Sequence, residues 1–73
     1  MMQHIFTTVH SGIPVLLEDG SISRTLRTER TFVIKTAANQ YSWKDHAGRI
    51  CTAETSALFP SAAHNLDRYK LTT

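Results

Sequence analysis

Alternation of apolar and polar positions is clearest in the middle of the chain, where it predicts three consecutive antiparallel strands between Thr31 and Glu54. Thr31–Thr36 is β-branched and aromatic, Gln40–Lys44 alternates aromatic with polar residues, and Arg49–Ala53 returns. Ala37-Ala38-Asn39 separates the first two. Asp45-His46-Ala47-Gly48 separates the last two as a loop of four, with Asp first and a Gly last that takes the left-handed conformation without a Cβ penalty. A loop of that length pairs Lys44 with Arg49, Trp43 with Ile50 and Ser42 with Cys51. Val33, inside the continuous run Phe32-Val33-Ile34, then faces outward.

Toward the amino end, His4–His10 reads as a strand ended by Ser11-Gly12, and Ile13–Glu18 as a second ended by the turn Asp19-Gly20. Pro14 cannot donate to a ladder and belongs at a strand start or an edge. Ser23–Arg30 has two readings, an extension of a strand from Ile22 or a long polar connection. The last third is richer in alanine. Thr55–Phe59 predicts one helical turn, stopped because the residue before Pro60 is driven out of the helical region. Ser61 caps a further helix with Ala62, Leu66 and Tyr69 on one stripe, and Lys70–Thr73 frays or adds a short strand.

The expectation is one α+β, mostly β domain over residues 1–73: a small, strongly bent antiparallel sheet or partly open barrel of about five strands, with a short C-terminal helix. Its expected core is Ile5, Val9, Val15, Leu17, Phe32, Ile34, Tyr41, Trp43, Ile50, Leu58, Leu66 and Tyr69.

A chain of 73 residues has room for one small core. Its 41% hydrophobic and 19% charged residues suit an ordered globule. One cysteine, Cys51, provides no internal disulfide. No apolar run approaches the ~20 residues of a membrane helix, and the first residues lack a basic region leading into an apolar one. A cytoplasmic setting without membrane contact is the expectation.

Candidate chemistry changes this picture little. His4 and His10 share a strand face but lie about 20 Å apart, too far to share one ion. His64 and Asp67 lack a third ligand. Cys51 would need His46 as its base, and that histidine sits in a turn. Ser61 near His64 reads as a cap, and Glu18-Asp19 lie at a wet turn tip. No glycine-rich phosphate cradle exists. The chain is therefore read as non-enzymatic, with no catalytic residue, metal or cofactor.

The basic residues point to partners. Lys44 against Arg49 calls for a carboxylate, with Asp45 at hand, or a bound anion. Arg24, Arg27 and Arg30 recur every three residues, a ridge on a turn and a split set on a strand. Tyr41 and Trp43 share a face, as core or as a base-stacking pair. The leading expectation is a non-catalytic module that binds a larger protein as inhibitor or adaptor, a kind of small chain common among phage and mobile-element products. The alternative is a small nucleic-acid-binding domain using Arg24, Arg27, Arg30, Lys44 and Arg49, which a formal charge of +2 permits without demanding. Self-association through an edge strand is a third course.

Overall fold

The computed structural model describes residues 4–60. Six strands form one antiparallel sheet: β1 (His4–Val9), β2 (Pro14–Leu17), β3 (Ile22–Arg24), β4 (Glu29–Ala37), β5 (Gln40–Lys44) and β6 (Ile50–Glu54). Their order across the sheet is β1-β4-β5-β6-β2-β3, and one turn of helix, α1 (Thr55–Leu58), follows β6. The expected class holds: a small, mostly antiparallel β domain, open rather than closed, with a short helix at its carboxyl-terminal end. Ser23–Arg30 resolves into both of its readings, because β3 runs on from Ile22 to Arg24 and a polar connection then leads into β4. The helix expected after Ser61, with Leu66 and Tyr69, lies outside the described residues.

Connection length dictates the curvature. Residues 10–13 join β1 to β2, and residues 25–28 join β3 to β4, yet each pair of strands stands four places apart in the sheet. On a flat sheet that separation is about 19 Å, while four connecting residues reach at most about 17 Å. The sheet must therefore roll. Thr25 ties the two connections together where they meet. Its hydroxyl donates to the His10 carbonyl (2.5 Å) and accepts from the Ile13 amide (2.9 Å). Its own amide donates to the Ile13 carbonyl at 2.9 Å.

Rolling gives the sheet a concave side, and the core fills it. Val9, Val15, Val33, Tyr41, Trp43, Cys51, Ala53 and Leu58 are buried there, with Ile5, Ile13, Leu17 and Phe59 packed against them. The edge of Phe59 meets Tyr41, ring centroids 5.4 Å apart, which seats the end of α1 on the core. Tyr41 and Trp43 are thus core residues and not an exposed stacking pair.

Two neighbouring turns are built alike. Leu17 and Asp45 each donate their amide to the residue four later (Ser21, Arg49; 2.9 Å) and accept from the glycine three later (Gly20, Gly48; 3.0 Å). Both glycines have left-handed φ, +87° and +83°, where a side chain would be strained. The second turn is one residue tighter than its sequence implies, because the Asp45 carboxylate also accepts from the Ala47 and Arg49 amides (3.0 and 2.9 Å). Every pair therefore moves by one: Lys44 stands opposite Ile50 rather than Arg49, Trp43 opposite Cys51, and Ser42 opposite Thr52.

A one-residue change of register exchanges the faces of a strand. Ile50 accordingly faces outward, and Cys51 and Ala53 enter the core. The β1–β4 pairing, Ile5 with Val33 and Phe6 with Phe32, sets the face of β4. Val33 is fully buried and Phe32 is 61% exposed, the reverse of the sequence expectation. Ile34, also expected in the core, is half-buried on the outer side.

Candidate interaction face

The convex side of the sheet is apolar as well. Strand pairing lines up His4, Ile34, Ser42, Thr52, Leu16 and Ile22 as one row across all six strands. The next row holds Phe6 beside Phe32, and Lys44 beside Ile50. Five large apolar side chains on this side stand open to solvent: Phe6 (49%), Leu16 (42%), Ile22 (74%), Phe32 (61%) and Ile50 (37%). Isolated exposed apolar residues are ordinary on a protein surface. Five on one face of a single sheet make it the candidate interaction surface.

The face has two unlike halves. On β1, β4 and β5 the Phe6 and Phe32 rings pack with centroids 4.9 Å apart. The Arg30 guanidinium lies 4.8 Å from the Phe6 ring centroid, a cation–π arrangement. Lys44 is exposed on the same side. On β6, β2 and β3 the residues are aliphatic, and Pro14, Leu16, Ile22, Thr52, Glu54 and Ala57 line a shallow groove. Ser42 and Thr52 share a hydroxyl hydrogen bond of 2.8 Å where the halves meet.

Of the five expected partner-binding residues, Arg30, Lys44 and Arg24, the last paired opposite Pro14, belong to this face, and Arg49 is engaged within the fold. Arg49 Nε lies 2.8 Å from Asp45 Oδ2, and its other nitrogens donate to Ser23 Oγ (3.0 Å) and the Arg24 carbonyl (3.1 Å). Asp45 is thus the carboxylate that Arg49 required, while Lys44 does not face it. Arg24 donates to the Gly12 carbonyl at 2.8 Å, and Arg27 lies 3.4 Å from Glu29. With Arg24 closing β3, Arg27 in the connection and Arg30 in β4, the three arginines form no ridge.

The Asp45–Arg49 pair and its neighbours form a polar cluster beside the core, and its chemistry is structural. Burial pushes the Asp45 carboxyl up, but the Arg49 side chain, the Arg49 and Ala47 amides and the Arg49 charge together hold it below its ordinary 3.8. Asp19 is lowered too, by the hydroxyl and amide of Ser21. A depressed carboxyl contributes stability above its unfolded-state value and loses it as pH falls through its folded one. These two carboxyls are therefore expected to leave unfolding free energy level between about pH 5 and pH 8 and to make it fall below about pH 4. Urea titrations across pH should show Asp45→Asn with a shallower acid decline; an unchanged profile would contradict the assignment.

Cys51 is fully buried, and its surroundings disfavour the thiolate. Burial, then the Asp45 charge, pushes its thiol above the ordinary 9.0, and its Sγ lies 3.7 Å from Asp45 Oδ2. His46, the nearest candidate base in sequence, lies 3.2 Å from Glu29. Alkylation by iodoacetamide near neutral pH is expected to be at least tenfold slower in the folded chain than in urea. Equal rates would place the thiol at the surface. Among the described residues no group of three or more His, Cys, Asp or Glu side chains is placed to hold a metal ion. His64 and Asp67 lie outside the described residues.

Sequence reading missed Phe6, Leu16 and Ile22 as site residues. The signal was present in β1, where assigning Ile5 and Val9 to the core leaves Phe6 on the opposite face. Compared with known proteins, the chain matches no family model, no curated protein and no solved structure.

Proposed function

We propose that this protein is a non-catalytic binding module that works by protein–protein contact, as an inhibitor or adaptor of a larger cytoplasmic partner. The observation that carries the reading is the convex face, with five exposed apolar side chains in register and Arg30 and Lys44 at its aromatic half. Aromatic anchors beside arginine are the side chains that dominate binding energy at protein interfaces. The aliphatic half has no π-surface for a base and suits a protein's apolar residues. No helix of the described residues is long and apolar enough to cross a membrane.

A second reading, single-stranded nucleic acid, is favoured by one feature alone: two exposed phenylalanines flanked by Arg30 and Lys44. Affinity purification of the tagged chain with and without nuclease, read by mass spectrometry and nucleic-acid sequencing, separates the two. The protein reading expects a protein captured equally in both arms. Capture that disappears with nuclease, together with labelled-DNA binding whose logarithm falls by about 0.9 per phosphate contact with the logarithm of salt, would replace it.

A further inference from the structure

We propose that β1 is a docking edge, and that an extended segment of the larger partner, acidic and apolar by turns, pairs with it as a seventh strand. The proposal rests on the protein-contact reading and names the part of the partner that is bound.

The two edges of the sheet are unlike. β3 is three residues long and ends at Arg24, a short edge of the kind that resists pairing. β1 runs for six residues, about 20 Å of strand. It pairs with β4 at six consecutive positions without a bulge, and no proline, lysine or carboxylate guards it. Alternate residues of an antiparallel edge turn both N–H and C=O away from the sheet. Among the described residues no strand takes up those groups on β1.

A groove of about 480 Å³ follows this edge, and Phe6, Thr7 and Thr8 all line it. Successive strand residues point to opposite faces, so a groove shared by three in a row lies along the rim of the strand. Phe59 and Pro60 form its other wall. Charge selects the occupant. Arg30 lines the same groove, its guanidinium 4.8 Å from the Phe6 ring centroid, and Lys44 is exposed two strands from β1. Among the described residues no carboxylate lines the groove or pairs with either cation. Glu29, the acid of β4, is engaged by Arg27 (3.4 Å) and His46 (3.2 Å). An added strand takes its affinity from main-chain hydrogen bonds and its selectivity from alternate side chains. Carboxylates on its outer side meet Arg30, and apolar residues on its other side meet Phe59 and Pro60.

Selection of a random decapeptide library, displayed on phage, against the full chain tests this. The enriched peptides should carry net negative charge, with acidic and apolar residues alternating. By fluorescence anisotropy, the strongest of them should bind Arg30→Glu, verified as folded by far-UV circular dichroism, at least tenfold more weakly than wild type. Two versions of that peptide, N-methylated on one or the other alternate set of amides, separate pairing from mere surface contact. Only the set that faces β1 donates to it, so one version should lose at least tenfold in affinity and the other should bind nearly as before. Enriched peptides that are basic, equal binding by Arg30→Glu, or equal behaviour of the two methylated versions would overturn the proposal. So would a chain that sediments as a dimer and selects no peptide, which gives the edge to a second copy, or single-stranded DNA bound more tightly than any selected peptide. No enrichment, with a protein partner still captured by wild type and lost in Phe32→Arg, would remove the edge strand and leave the protein-contact reading standing. Neither enrichment nor capture would remove both.

Discussion

Trp43→Ala is expected to cost about 3–5 kcal/mol of unfolding free energy, a large part of what a chain this size has. At 0.05–0.15 kcal/mol per residue a domain of this length holds about 4–11 kcal/mol in all. Trp43 is only 3% exposed on the concave side of β5, opposite Cys51, in a core with eight buried apolar residues among those described. Among the described residues no second layer of sheet stands behind it to collapse into the space an indole leaves. Urea denaturation followed by far-UV circular dichroism measures the change, since the substitution removes the only tryptophan. A loss below about 1 kcal/mol would mean that the indole is at the surface.

The second large effect separates two adjacent residues. Val33→Asp is expected to leave the chain unfolded without denaturant, whereas Phe32→Asp should fold with a loss of about 1 kcal/mol. Val33 is fully buried against Ile5 and the other concave residues, so an aspartate there is a charge without a partner. Phe32 faces solvent and gives up only its packing against Phe6. Circular dichroism and urea titration of the two variants measure this, and the reverse ranking would mean that β4 pairs in the other register.

That ranking is also where the sequence misleads. In most half-buried strands the apolar set marks the core face, and β5 obeys: Tyr41 and Trp43 are buried and Ser42 lies opposite. In β4 the larger apolar residues, Phe32 and Ile34, face out, while the inward set is Glu29, Thr31, Val33 and Lys35. Hydrophobicity alone assigns such a strand to the wrong face, because its largest apolar side chains lie on the outer side. The strands, the glycine turns and the single helical turn before Pro60 were legible because each depends on local rules of alternation and φ. The loop at Asp45 was read one residue too long, since its tightness comes from a carboxylate accepting two backbone amides. The sixth strand and the roll of the sheet depend on Thr25 joining connections far apart in sequence, a contact that periodicity does not carry.

Much the same reasoning reassigns the basic residues. Arg24, Arg27 and Arg49 look alike in the sequence, yet only Arg49 is held within the fold, by Asp45, while Arg24 reaches the Gly12 carbonyl from an exposed position and Arg27 stays largely exposed beside Glu29. Arg30 lies over the Phe6 ring, and Lys44 is exposed opposite Ile50. Charge on the outer side of the sheet therefore borders exposed apolar side chains.

The most direct test of the convex face as the contact surface is capture from nuclease-treated lysate by wild type, Phe32→Arg and Arg27→Ala, all verified as folded and used at equal concentration. The account predicts that a protein partner held by wild type is retained by Arg27→Ala and reduced at least tenfold by Phe32→Arg. Full retention by Phe32→Arg, with loss in Arg27→Ala, would place the contact at the polar connection and contradict it.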